Sequence, residues 1–166
     1  GVYIKDTVQL TPRLVFDMGT RLSLFKVESN TIRSYLQPRL SMLYNINEQT
    51  TFKSYVGTYR QIGQDGNSTF QDDGTLKTVI PDLNMEQSVQ YGAGFERYIR
   101  KDIVLKSEYY RKDYLGLFMN EATEPETIYS NNGKGYARGV EFMLQQLEGG
   151  KQHGWLSYTL SDTKKF

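Results

Sequence analysis

The sequence predicts an all-β fold, an antiparallel up-and-down meander of about eight strands, and three observations carry that expectation. Apolar and polar residues alternate with a period of two along most of the 166 residues, the signature of strands with two different faces. The 13 Tyr and 8 Phe against only 4 Pro favour pleated surfaces over helices. Short polar turns alternate with long loops, which is the rhythm of successive hairpins and leaves no room for crossover helices.

The segments follow in order. The first, Val2 to Leu10, ends at the turn "TPR" (11–13). In the second, Leu14 to Phe25, the residues Leu14, Phe16, Met18, Leu22 and Leu24 share one face. Asp17, Gly19, Arg21 and Ser23 share the other, and only Thr20 interrupts the apolar side. The third, Tyr35 to Ile46, sets Leu36, Leu40, Met42, Tyr44 and Ile46 against Gln37, Arg39, Ser41 and Asn45. The turn "NEQT" (47–50) leads into the fourth, Thr51 to Gln61.

The fifth, Asn84 to Tyr98, places Val89, Tyr91, Ala93 and Phe95 opposite Ser88, Gln90, Gly92, Gly94 and Glu96. After "IRKD" (99–102), the sixth, Ile103 to Phe118, opposes Ile103, Leu105 and Tyr109 to Lys106, Glu108, Tyr110 and Lys112. The seventh, Gly135 to Leu147, puts Val140, Phe142 and Leu144 on one side and Gly139, Glu141, Met143 and Gln145 on the other. "EGGKQH" (148–153) then turns into the eighth, Gly154 to Ser161. The remaining connections, residues 26–34, 62–83 and 119–134, read as long loops that gather on the opposite rim from the turns. Several strands exceed the usual length of about 5 to 6 residues, which suggests a wide or tilted wall.

A soluble sandwich with one wet face has the same period, so the polar face must discriminate. It carries Asp17, Arg21, Arg39, Glu96, Lys106, Glu108, Lys112 and Glu141, too many charges for a closed core, so it meets water. The apolar face then covers a second sheet or lipid, and the short-long hairpin rhythm suits one continuous wall against lipid. Tyr3, Tyr35, Tyr44, Tyr59, Tyr98, Tyr114 and Tyr136 fall near predicted strand ends, where interfacial aromatic girdles form. A self-contained eight-stranded β-barrel, either a small outer-membrane protein or a soluble ligand-binding barrel, stays open as the alternative. Pairing between the first and last strands distinguishes it.

Three stretches, taken together, carry a family resemblance. "YIKDTVQLTPRLVFDMGTRLSLF" (3–25), "PDLNMEQSVQYGAGFERYIRKDIVLKSEYYRKDY" (81–114), and "YSNNGKGYARGVEFML" (129–144) with "GWLSYTLSDTKKF" (154–166) resemble the C-terminal half of the barrel of TonB-dependent outer-membrane receptors. The resemblance implies that residues 1–166 form one partial transmembrane β-barrel domain, a fragment of a barrel of about 22 strands. It implies a location in the bacterial cell outer membrane. It also implies a transporter, not an enzyme, that imports a scarce nutrient such as a metal chelate, vitamin or glycan, with this segment supplying wall and extracellular loops. The implied partners are outer-membrane lipid, the receptor's own plug domain, TonB and the nutrient. Asp162 and Lys164 stand where the terminal insertion signal of outer-membrane proteins has apolar residues, so the terminal Phe166 is read as coincidence.

No chemistry competes with this reading. The one histidine, His153, and the absence of cysteine leave no material for a histidine-based triad or a zinc site. Asp65, Asn67, Asp72 and Asp73 offer oxygen ligands without EF-hand spacing, so they read as a mobile acidic loop. "QYGAGFERY" (90–98) lacks the Lys-Ser/Thr pair of a phosphate loop. Gly92 and Gly94 are expected to let the wall curve or the plug approach. "RYIRK" (97–101) reads as a basic turn, and the net charge of +1 gives no argument for nucleic acid. No cofactor is expected. The lumen-facing candidates are Asp17, Arg21, Arg39, Lys53, Glu96, Lys106, Glu108 and Glu141. The carboxylates Glu96, Glu108 and Glu141 are expected to pair with Arg21, Arg39, Lys53 and Lys106 in a wet network rather than to act as catalytic acids. Substrate-binding residues are not assigned.

Overall fold

The computed structural model describes residues 1–26, 32–61, 69–70, 76–77, 85–123, 126–147 and 153–166. Every regular element among them is a strand: β1 (Val2–Thr11), β2 (Leu14–Lys26), β3 (Ile32–Asn47), β4 (Thr50–Gln61), β5 (Thr69–Phe70), β6 (Leu76–Lys77), β7 (Glu86–Arg100), β8 (Ile103–Thr123), β9 (Glu126–Gln146) and β10 (Gly154–Lys165). Eight of them form one antiparallel sheet in the order β1-β2-β3-β4-β7-β8-β9-β10, and β5 with β6 forms a separate hairpin inside the long β4–β7 connection. The meander and its hairpin order are as expected.

The alternative reading, a self-contained barrel, is not what the chain forms. β1 and β10 lie at opposite ends of the sheet and do not pair with each other, so both edges present free backbone donors and acceptors that further strands would take up. Among the described residues the only other sheet is the two-stranded β5-β6 hairpin, too small to be the second layer of a sandwich. The sheet is therefore a single layer, and its surface says so: 12241 Å² is accessible, against about 8,400 Å² for a folded monomer of this mass. Met85 and Val104 are the buried hydrophobic residues among those described, while Leu22, Leu40, Phe95, Phe142 and Leu160 are exposed on the apolar face. A patch of that extent on a soluble monomer would drive aggregation.

Two segments read as loops are strand. β2 and β3 stay paired to Lys26↔Ile32, and β8 and β9 stay paired to Thr123↔Glu126, so most of 119–134 is a projecting hairpin. Counting the part inside the wall, the β8–β9 hairpin has 21 residues in each arm and spans about 70 Å of strand. The sequence "MNEATEPETIYSNNGK" conceals it because both faces there are polar: alternation is visible only where one face is apolar, whereas backbone pairing needs no such contrast. Two register shifts, at Leu115/Leu117 and Leu117/Met119, mark where the hairpin leaves the wall. Gly116 takes φ 67° there, a left-handed conformation that side-chain-bearing residues rarely adopt. Asn131 donates to its carbonyl at 2.8 Å.

Candidate functional site

The register places all eight charged candidates on one face. Lys53, Gly94, Glu108, Glu141 and Thr159 form one cross-strand row, and Thr51, Glu96, Lys106, Met143 and Ser157 the next row toward the short turns. Asp17 and Arg39 belong to the same face through Ser41 and Gly57, and Arg21 through Gln37. The pairing among these charges differs from expectation. Lys53 Nζ meets Glu96 Oε2 at 2.6 Å, as foreseen. Asp17, for which the sequence suggested no partner, is held by Lys5 at 2.9 Å and by the Thr7 hydroxyl at 2.6 Å, because β1 is its neighbour strand. Lys106 donates to Gln145 at 3.5 Å. Arg39 stacks on Tyr59, its Cζ 4.3 Å from the ring centroid.

Glu108 and Glu141 stand directly opposite each other on β8 and β9, so neither neutralises the other. The partner Glu108 does have was missed in the sequence: Tyr55 on β4 donates its hydroxyl to Glu108 Oε1 at 3.0 Å. Tyr55 pairs with Gly92 on β7, and Gly92 pairs with Tyr110 on β8, so the phenol must cross a whole strand to reach Glu108. A Cβ on Gly92 would sit 2.8 Å from that ring. Gly139 is covered in the same way by Tyr110, whose hydroxyl would lie 2.7 Å from an added Cβ. The space at Gly92 is thus filled by the wall's own tyrosine rather than left open for an approaching domain. Aromatic rings shielding cross-strand glycines are a recurrent device in curved sheets. The signal that could have revealed it is the coincidence of Gly and Tyr on one face of adjacent strands.

The face divides along its length. Toward the short turns, a cleft of about 240 Å³ is lined by Lys53, Glu96, Lys106, Glu108 and Glu141, among others. Toward the long loops, a cleft of about 450 Å³ is lined by Arg21, Arg39, Arg60, Lys112, Tyr59 and Tyr114, among others. Glu86, its carboxylate, is already engaged. It accepts from Gln61 Nε2 and from the Phe118 backbone N–H, each at 3.0 Å. The buried Nε of Arg39 has no acceptor among the described residues. Gln37 fills the place where β3–β4 pairing stops after Arg39↔Gly57. It donates to Ser23 Oγ at 2.9 Å and accepts from the Arg60 backbone N–H at 3.1 Å.

The tyrosine girdle is corrected by register. Tyr3, Tyr35, Tyr59, Tyr98 and Tyr114 pair with Arg21, Ser23, Ser88, Val104 and Ser88, which places them on the polar face. Tyr44 and Tyr136 are on the apolar face, joined there by Tyr91, Tyr109 and Tyr158. Tyr114 and Tyr136 are also mid-strand, since β8 and β9 run on past them. His153 is exposed just before β10. Asp65, Asn67, Asp72 and Asp73 lie outside the described residues.

Comparison with known proteins agrees with this architecture. A family model described as TonB dependent receptor-like, beta-barrel, matches residues 1–166. No curated protein matches the sequence. The alcaligin outer-membrane receptor FauA of Bordetella pertussis superposes with a TM-score of 0.72 at 16% identity, over 98% of this chain and 29% of its own. The ferric-catecholate import receptor Fiu of E. coli K12 gives 0.72 at 16%, over 97% and 27%. The FrpB iron transporter of Neisseria meningitidis gives 0.71 at 13%, over 98% and 25%. The chain therefore spans between a quarter and a third of the length of these solved proteins.

Proposed function

Because this chain belongs to the TonB-dependent receptor β-barrel family, whose members are transporters of the bacterial outer membrane and not enzymes, we propose that it is wall and outer-loop structure of a receptor importing a scarce, anionic metal chelate. The apolar face meets lipid, and the polar face lines the lumen. Of the three substrate classes the family suggests, metal chelate, vitamin or glycan, the first suits the loop-side cleft best. The observation that carries this reading is the concentration of Arg21, Arg39, Arg60 and Lys112 beside Tyr59 and Tyr114, with the buried Arg39 Nε lacking an acceptor among the described residues. Guanidinium groups next to aromatic rings bind flat anionic oxygen ligands through charge-assisted hydrogen bonds and stacking. A neutral glycan offers acceptor oxygens but would leave the positive charge of the cleft without a counter-charge.

The turn-side cleft serves a different partner. Opposed Glu108 and Glu141 form a local excess of negative charge that suits cationic side chains of the receptor's plug domain, and the plug in turn engages TonB. The experiment is uptake of radiolabelled iron by cells whose only ferric-chelate receptor is the intact protein carrying this segment. The chelates supplied are anionic and neutral. Arg39→Gln with Arg21→Gln is expected to lower uptake of the anionic chelate at least about tenfold, as the loss of two charge-assisted contacts predicts. Unchanged uptake, or equal loss for neutral and anionic chelates, would sink the proposal. Solute flux through the receptor in liposomes without TonB would favour a diffusion porin.

A further inference from the structure

The apolar face is not apolar throughout. Along β8, β9 and β10 it presents Leu105, Leu144 and Leu156, then Ser107, Phe142 and Tyr158, then Tyr109, Val140 and Leu160. The next row toward the long-loop rim is Arg111, Arg138 and Asp162, and the one after it Asp113, Tyr136 and Lys164. Lys134 follows beside Leu115. Charge thus begins abruptly where the apolar band ends.

The cluster is organised. Arg111 and Arg138 stand directly opposite each other, an arrangement that repels unless anions intervene. Arg111 Nη2 meets Asp113 at 2.9 Å, and Arg138 Nη2 meets Asp162 at 3.0 Å. Both guanidinium carbons lie over Tyr136, at 5.7 and 5.3 Å from the ring centroid, and the Tyr136 hydroxyl donates to Asp162 at 3.0 Å. Four cations, Arg111, Arg138, Lys134 and Lys164, face two anions, Asp113 and Asp162, which among the described residues of this cluster leaves an excess of two positive charges. An aqueous wall could leave that excess to counterions, but on a lipid-facing surface it must meet an anion of the headgroup layer.

We propose that this cluster binds the phosphate groups of a phosphorylated outer-leaflet glycolipid. The inference rests on the outer-membrane placement and is independent of the transported substrate. Phosphate matches the planar forks of two guanidinium groups. The aspartates and Tyr136 hold those forks in place before a lipid arrives, while Lys134 and Lys164 supply point charge at the outer margin. The loop-rim position selects the outer leaflet, because the short turns occupy the other side of the membrane in barrels of this kind.

The test uses the intact receptor that carries this segment, stripped of native lipid in detergent. It is titrated with bis-phosphorylated lipid A, with phosphate-free lipid A and with inorganic phosphate, and bound molecules are counted by native mass spectrometry. Bis-phosphorylated lipid A is expected to bind at least about tenfold more tightly than the phosphate-free form. The double variant R111Q/R138Q is expected to abolish that preference, and K134Q/K164Q, which leaves both ion pairs intact, to reduce it. Equal binding of the two lipids, or an unchanged preference in both variants, overturns the proposal. So does inorganic phosphate binding as tightly as the lipid, which identifies a free-anion site, or a tightly held protein occupying this face with no lipid preference. Gel mobility without heating reports the fold; where R111Q/R138Q fails to fold, K134Q/K164Q decides. Iron uptake, measured in parallel, separates failure of this site from failure of the transport reading.

Discussion

Glu108 on β8 faces Glu141 on β9 across one register position, and among the described residues the pair's donor is the Tyr55 hydroxyl, 3.0 Å from Glu108. Like charges so placed destabilise a sheet by about 0.2–1 kcal/mol. A lumen cation supplied by the plug would reverse that sign. Glu141→Gln is therefore expected to leave barrel stability unchanged or slightly higher while loosening the plug in the intact receptor. Hydrogen exchange of plug amides measures the second effect, and equal protection in wild type and variant would refute it.

Val140 lies on the apolar face between Tyr109 and Leu160, and Met143 on the polar face between Lys106 and Ser157. Val140→Arg is expected to cost about 2–4 kcal/mol for a residue near the bilayer midplane. Met143→Arg should cost well under about 1 kcal/mol, since a polar-face side chain keeps its charge in water. Urea unfolding in phospholipid vesicles gives both numbers. Equal costs would mean the faces are assigned wrongly.

An added methyl at Gly139 would lie 2.7 Å from the Tyr110 hydroxyl and 2.8 Å from the Leu160 carbonyl. The ring can swing aside, but the paired backbone cannot. Gly139→Ala is expected to destabilise by about 1–3 kcal/mol, and Tyr110→Ala in the same chain to recover only part of it. Full recovery in the double-mutant cycle would assign the whole clash to the ring.

Lys53 and Glu96 form an ion pair at 2.6 Å, the shortest among the described residues of the polar face, yet the lysine side chain is 51% exposed. Solvent screening should dominate over distance. Lys53→Gln is expected to cost at most about 1 kcal/mol, and less at high salt. A cost of several kcal/mol in the same vesicle unfolding assay would show that the pair is desolvated in the intact receptor.

What the sequence determined by itself is the alternation and what depends on it: strands, their two faces, the hairpin order and the membership of eight charged residues in one face. A period of two needs no partner to be read, because neighbouring side chains on a strand point to opposite sides whatever lies beside it. Which residues meet across strands follows from the assembled sheet alone. Register brought Lys5 to Asp17, carried Tyr55 over Gly92 to Glu108, and gathered Arg111, Arg138 and Asp162 into one charged row on the apolar face. It also extended β8 and β9 through a stretch where both faces are polar. These contacts depend on the offset between segments far apart in the chain. That offset is fixed by backbone pairing across the whole sheet, and the local pattern of any one strand is indifferent to it.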